Sequence, residues 1–161
     1  MDGVLCTFEE SFKEQIGDGI GPVEFKEIHG SKKYWDAIID HGMSFWEHLP
    51  PTKDMIVLKE YVFRNFDKIG ILSSSSRKEH GSNVVTHGKM KWLRRHGFLN
   101  LIPNKNIIIV DSATHKRKYA WDDKILVDDY AKNISGWIGS GGIGILHKSA
   151  KRSIEKLDDY V

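Results

Sequence analysis

Hydrophobic positions along this chain keep two different rhythms, and the change falls near Asn65. Upstream, apolar residues return every three or four positions, the spacing of one helix face. Phe8, Phe12 and Ile16 predict a helix that the glycine-rich loop 17–22 ends. Ser31 caps a further helix carrying Tyr34, Trp35, Ile38 and Ile39, closed by His41 and Gly42. Residues 45–51 read as an aromatic, turn-rich connection, and Thr52 as the cap of a helix through Met55, Val57, Leu58, Tyr61 and Val62. Downstream, short unbroken apolar runs at 68–72, 106–110, 125–127 and 143–146 predict strands. Amphipathic stretches at 84–96, 133–138 and 149–160 predict the helices between and after them. Strands that alternate with helices and are apolar on both faces imply an α/β fold with a parallel sheet. Residues 1–5 look like the last step of a strand and the turn leaving it, because Gly3 interrupts an apolar segment with nothing before it.

Composition narrows the class. A length of 161 residues with 40% hydrophobic side chains suits one domain with a sizeable core. The formal net charge of +2 implies no global polyelectrolyte partner, neither DNA nor an anionic membrane. The exception is local: 87–118 holds eight Lys or Arg against one acid, a candidate nucleic-acid surface. One cysteine, Cys6, excludes an internal disulfide framework and fits a reducing compartment. No apolar stretch has the length of a bilayer span, and no basic region followed by a hydrophobic run opens the chain. A cytoplasmic protein without a membrane partner is expected.

The glycines of 139–144 match the spacing G-x-G-x-x-G of a dinucleotide-binding turn. They follow a predicted helix and open a strand, however, the reverse of what sets a helix N-terminus against a pyrophosphate. A helix C-cap and a tight turn account for them. The eight histidines form no H-E-x-x-H pair, and there is no cysteine cluster for zinc. A different constellation remains. Ile125, Leu126 and Val127 run straight into Asp128 and Asp129, and open α/β sheets bind ligands beyond the carboxyl ends of such strands. Asp2 follows the first strand, Ser73 the second, and Lys118 lies in the loop before the Asp-Asp strand. Carboxylates at strand ends suit a hard cation such as Mg²⁺, which needs oxygen ligands and keeps waters for a phosphate substrate. A hydroxyl can hold a phosphoryl oxygen, and a lysine can balance the charge of acids and phosphate. Each piece alone has a plain structural reading: acids cap helices, serines fill turns, and Lys118 belongs to a basic run, 116–118, of a kind that is usually solvated. Their shared placement points to phosphoryl transfer.

These residues resemble the haloacid dehalogenase-like phosphatases of the 5′(3′)-deoxyribonucleotidase type and their bacterial and phage relatives. Residues 1–5, Met-Asp-Gly-Val-Leu, look like the tail of the family's first motif, Asp-x-Asp-Gly-Val. Ile71, Leu72 and Ser73 look like the second, whose Ser or Thr binds the phosphoryl group. Lys118 looks like the third-motif lysine, with Lys116 close enough to replace it, and 126–133 continuing to 141–145 is similar to the fourth motif and the strand after it. The resemblance implies a Rossmann-like three-layer α/β/α core over 1–7 and 66–161, its first strand truncated, with a small helical cap over 8–65 inserted after that strand. It implies Mg²⁺-dependent hydrolysis of nucleoside (deoxyribonucleoside) monophosphates. Asp2 would be general acid/base and metal ligand, Ser73 and Lys118 would hold the transferring phosphoryl group, and Ser74 would bind substrate beside Ser73. Asp128 and Asp129 would serve the metal, and Phe45 and Trp46 would stack on the base from the cap side. A homodimer is compatible with it.

The family's nucleophile is the first Asp of Asp-x-Asp, and here its position would fall before Met1. Residues two apart in an extended segment point to the same side, which is why the pair needs this spacing to meet one phosphate. Losing a central strand would also leave neighbouring backbone groups unpaired. The chain as given is therefore expected to fold poorly and to be inactive, as an incomplete chain. The alternatives are a nucleotide-binding or regulatory pseudoenzyme and a polynucleotide-end phosphatase.

Overall fold

The computed structural model describes residues 1–77 and 81–161, a mixed α/β chain in which helices outweigh strands. Helices α1 (Phe8–Gln15), α2 (Pro22–Asp40), α3 (Gly42–Glu47) and α4 (Met55–Asn65) come first. They are followed by β1 (Ile71–Ser74), α5 (Ser82–Arg95), β2 (Ile107–Val110), β3 (Ile125–Asp128), α6 (Ala131–Ile138), β4 (Ile143–Leu146) and α7 (Ala150–Leu157). A run of 3₁₀ turns, Ala113–Tyr119, lies between β2 and β3.

Local chemistry explains many of the boundaries. Pro22 opens α2, where its fixed φ suits the first turn and its missing N–H would have had no partner. Gly30 then breaks that helix at φ 80° and ψ 162°, so the stretch from Ser31 is a helix in its own right. Ser149 caps α7, its Oγ accepting from Arg152 N at 3.3 Å. Three expectations are corrected. Residues 45–47, expected at the start of a turn-rich connection, belong to helix α3, because Phe45 and Trp46 are buried against the rest of the core, with Trp46 set against Gly88 of α5 where any side chain would collide. Thr52 does not cap α4: its hydroxyl donates to Val4 O at 2.9 Å, while Asp54 takes the cap position and its carboxylate accepts from Ala150 N at 2.8 Å. Strand β1 begins later than the apolar run and takes in Ser73 and Ser74, which stand opposite Ile109 and Val110.

β1 pairs with β2 and β3 with β4, both in parallel, with Ile71 opposite Ile107 and Ile125 opposite Ile143. Among the described residues these are two small sheets, where one continuous sheet was expected. Parallel strands join through a ladder of N–H and C=O groups, and the described residues offer none between β1 and β3. Residues 1–6 form a tight turn instead of a strand. Met1 O accepts from Leu5 N at 2.7 Å, Gly3 has φ 67°, and isolated bridges link Asp2 to Cys6 and Cys6 to Pro51. Packing nevertheless treats the two sheets alike. Ile71, Ile107, Ile125, Val127 and Ile145 join the main core of Phe12, Ile38, Trp46, Trp92 and Leu93. Leu72, Leu126 and Leu146, one position out of step, join Ala120, Ile134 and Trp137 in a second cluster. This period of two covers both faces of each sheet. The helices of 8–65 share the main core with the α/β part.

Candidate functional site

The N-terminal turn is flanked by two lysine–carboxylate pairs, one at the carboxyl end of β1 and one at that of β3. On the β1 side Lys89 of α5 donates from Nζ to Asp2 Oδ2 at 2.6 Å, Ser73 Oγ at 3.1 Å and Ser74 O at 2.6 Å. An ammonium carries three N–H donors, and here all are used. The lysine side chain is 1% exposed and that of Asp2 30%, so the cation is enclosed while the carboxylate meets the opening. Nζ also sits 4.7 Å from the centre of the Trp46 ring, a cation–π contact in a desolvated place. Lys89 shares the buried face of α5 with Val85, Trp92 and Leu93, which carry it into the core, where Asp2, Ser73 and Ser74 O offset the cost of its charge.

On the β3 side Lys116 donates to Asp128 Oδ2 at 2.6 Å, with both side chains almost wholly buried. Asp128 Oδ1 accepts from Tyr130 N at 2.9 Å and from Asn133 Nδ2 at 3.0 Å. Asn133, in the first turn of α6, thereby aims this carboxylate. The next carboxylate, Asp129, lies against Gly3. A Cβ on Gly3 would fall on Asp129 Oδ2, and φ 67° is itself a conformation that favours glycine, so residue 3 has two independent reasons to lack a side chain.

Burial would raise both Asp2 and Asp128. At Asp2 the charge of Lys89, the nearby amino terminus and the Lys89 hydrogen bond outweigh it, and the carboxyl is held below the usual range. At Asp128 the charge and hydrogen bond of Lys116, with the bonds from Tyr130 N and Asn133, do the same. Asp129 moves the other way, raised by burial and then by the neighbouring charge of Asp128. Burial and the charge of Asp2 push the Cys6 thiol up, which makes it a packed, unreactive group. Three side-chain carboxylates thus stand with two ammonium side chains and the amino terminus, which leaves no excess of positive charge to meet a phosphate dianion.

Asp2, Ser73, Asp128 and Asp129 are brought to one place, and Ser74 contributes its backbone oxygen there. Lys118 is not: it is exposed, and the lysine of that loop which reaches Asp128 is Lys116. A 3₁₀ turn rotates successive residues by a third of a circle, so side chains two apart cannot both face β3. Phe45 and Trp46 lie in the core. Phe8 stacks on Trp46 at 5.1 Å and 10°, and Phe45 meets it edge-on at 5.3 Å. With Phe8 against it, Lys89 over it and 2% exposure, the indole has no open face for a base. No motif in the sequence points to Lys89, and its signal is a lysine standing on the apolar stripe of Val85, Trp92 and Leu93. The basic stretch 87–118 does not make one surface: Lys89 and Lys116 are buried, and Lys91 pairs with Glu47 at 3.3 Å.

Among the described residues no three His, Cys, Asp or Glu side chains converge as a ready metal cage. Asp2 and Asp128 are held by lysines instead, and Asp129 is the carboxylate of the three without such a partner. Their oxygen donors are nonetheless the type that Mg²⁺ takes. No helix among the described residues is long and apolar enough to cross a membrane. No protein-family model matches the chain, and no curated protein matches it.

Proposed function

We propose that the protein is a Mg²⁺-dependent phosphatase of nucleoside monophosphates, with a haloacid dehalogenase-like core and a helical cap. The observation that carries this reading is convergence: Asp2, Ser73, Asp128 and Asp129 come from distant parts of the chain and gather around one turn with two buried lysines. Acids, ammonium groups and a hydroxyl at the carboxyl ends of parallel strands are the parts that phosphoryl transfer uses. In this reading the two parallel pairs are flanks of one three-layer sheet, a view supported by the alternation that their residues share. The single buried cysteine fits a cytoplasmic setting.

Ser73 Oγ and Lys116 Nζ would hold phosphoryl oxygens. Asp2 would protonate the leaving oxygen and then take a proton from the attacking water. Asp128 and Asp129 would hold Mg²⁺, which offsets phosphate charge, with Asn133 keeping Asp128 in place. The nucleophile would be an aspartate two residues before Asp2, attacking phosphorus as the bond to the nucleoside oxygen breaks. A chain extended upstream by an apolar strand, ending in that aspartate, should release inorganic phosphate from thymidine monophosphate only when Mg²⁺ is present. A folded extended protein that releases none from any nucleoside monophosphate would sink the proposal.

One observation favours a second reading, a nucleotide-binding module without turnover. Lys89 holds Asp2 as a carboxylate, and a carboxylate has no proton to donate to a leaving group. Binding of thymidine monophosphate without hydrolysis by the extended chain would support the module, and turnover would remove it.

A further inference from the structure

β3 and β4 are parallel neighbours, so their carboxyl ends open on one edge, the edge that holds Asp128 and Asp129. The residues that follow these strands along that edge include Tyr130, Lys132, Lys148 and Lys151, all exposed. Arg117, also exposed, lies beside α6, its Cδ 4.0 Å from where a Cβ on Gly136 would stand. Among the described residues none of these cations has a carboxylate partner; Glu155 stands one turn further along α7 from Lys151. Tyr130 is 48% exposed, although its own backbone N–H is committed to Asp128, so its ring stands free at the rim of the acid site. Charge is also divided along the chain. Residues 66–161 hold seventeen Lys or Arg against ten acids, whereas 8–65 hold seven against eleven.

A mononucleotide has one phosphate group and no use for a row of free cations beyond the site. A single-stranded nucleic acid uses both features, because its backbone follows positive charge and its bases stack on exposed aromatic rings. We propose that a single-stranded nucleic acid lies across this rim, its end phosphate in the Asp/Lys site, its adjoining base on Tyr130 and its next phosphates on Lys132, Lys148 and Lys151. Asp54 of the helical region reaches the start of α7, where its carboxylate is committed to Ala150 N. The inference rests on the phosphoryl-binding reading above for the end phosphate, and on the rim alone for the rest.

Fluorescence anisotropy of a twelve-nucleotide oligo(dT), with the dye on one end and a phosphate on the other, tests it with the full chain at a fixed concentration of Mg²⁺. Binding should weaken with salt, the log–log slope being about −0.7 for each phosphate contacted. The Lys132→Glu, Lys148→Glu, Lys151→Glu triple variant should lose about two units of that slope. Tyr130→Ala should weaken binding about tenfold with the slope unchanged. Binding indifferent to salt, a triple variant that binds as well as the native chain, or equal affinity for phosphatidylserine vesicles overturns the proposal. Titration of the native chain with thymidine monophosphate separates the two readings. Binding of the mononucleotide without the oligonucleotide overturns the rim alone, and binding of the oligonucleotide without the mononucleotide supports the rim and overturns the mononucleotide substrate.

Discussion

The two lysine–carboxylate pairs beside the N-terminal turn have the same charges and the same separation, 2.6 Å, and are built in opposite ways. Lys116 and Asp128 are twelve residues apart, and water is kept from both. Lys89 and Asp2 are 87 residues apart, the lysine sealed under a tryptophan ring and the carboxylate at an opening. An enclosed charge that loses its partner has no solvent to replace it, whereas a carboxylate at an opening can be rehydrated. The β3 pair should thus respond alike to the loss of either member, and the β1 pair should not. The open carboxylate is also the one to which the proposed chemistry gives proton transfer, and the closed one is assigned to hold an ion.

The largest effect expected is from Asp2→Ala, which strands the buried Lys89 charge and should cost about 3–5 kcal/mol in urea unfolding. Lys89→Met, which leaves the charge on the open side, should cost clearly less; equal costs would break the comparison. Gly3→Ala comes next, at about 1–3 kcal/mol, since it combines a left-handed backbone with a collision against Asp129. Adding Asp129→Ala should recover the collision and leave the backbone part, and a double-mutant cycle with no coupling would show that the two residues do not meet.

Acid titration sharpens the contrast further. Asp2 and Asp128 have folded-state values below the ordinary one of about 3.9, so the stability they lend is complete above it and is lost as pH falls through the folded values. Asp129, raised, works in reverse: its contribution is present below the ordinary value and is lost as pH rises through the folded one. In urea midpoints measured between about pH 2 and 7, Asp128→Asn should flatten the acid-side loss, and Asp129→Asn should stabilise the neutral end. The smallest effect is expected at Lys118, where Ala should change stability by less than about 0.5 kcal/mol while Lys116→Ala is plainly destabilising. Lys118→Ala proving the costlier of the two would reverse the assignment of the loop lysine.

Much of this arrangement was legible because it is local. The run from Ile125 to Asp129 named a strand and the acids at its end, and the glycines of 139–144 read correctly as a helix end and a turn, with Gly139 at the C-cap of α6 and Gly141 at φ 92°. Gly30, which breaks α2, stands immediately before the Ser31 from which a separate helix was expected. Other features depended on surfaces that are remote in sequence. Thr52 has the look of a cap, but its hydroxyl finds Val4 O, 48 residues away. Trp46 has the look of a ligand platform until Phe8 and Lys89 close over it.

By itself the sequence determined the two rhythms, the mixed α/β class, and the strand end on which Asp128 and Asp129 stand, because helix and strand periodicity act over a few residues. Tertiary structure alone decided that Lys116 and not Lys118 meets Asp128, that Lys89 holds Asp2, and that the strands pair as β1 with β2 and β3 with β4. The reason is physical. A buried charge takes whichever opposite charge the packing brings within hydrogen-bond reach, and that choice depends on how helices and sheets come together rather than on the residues on either side of it.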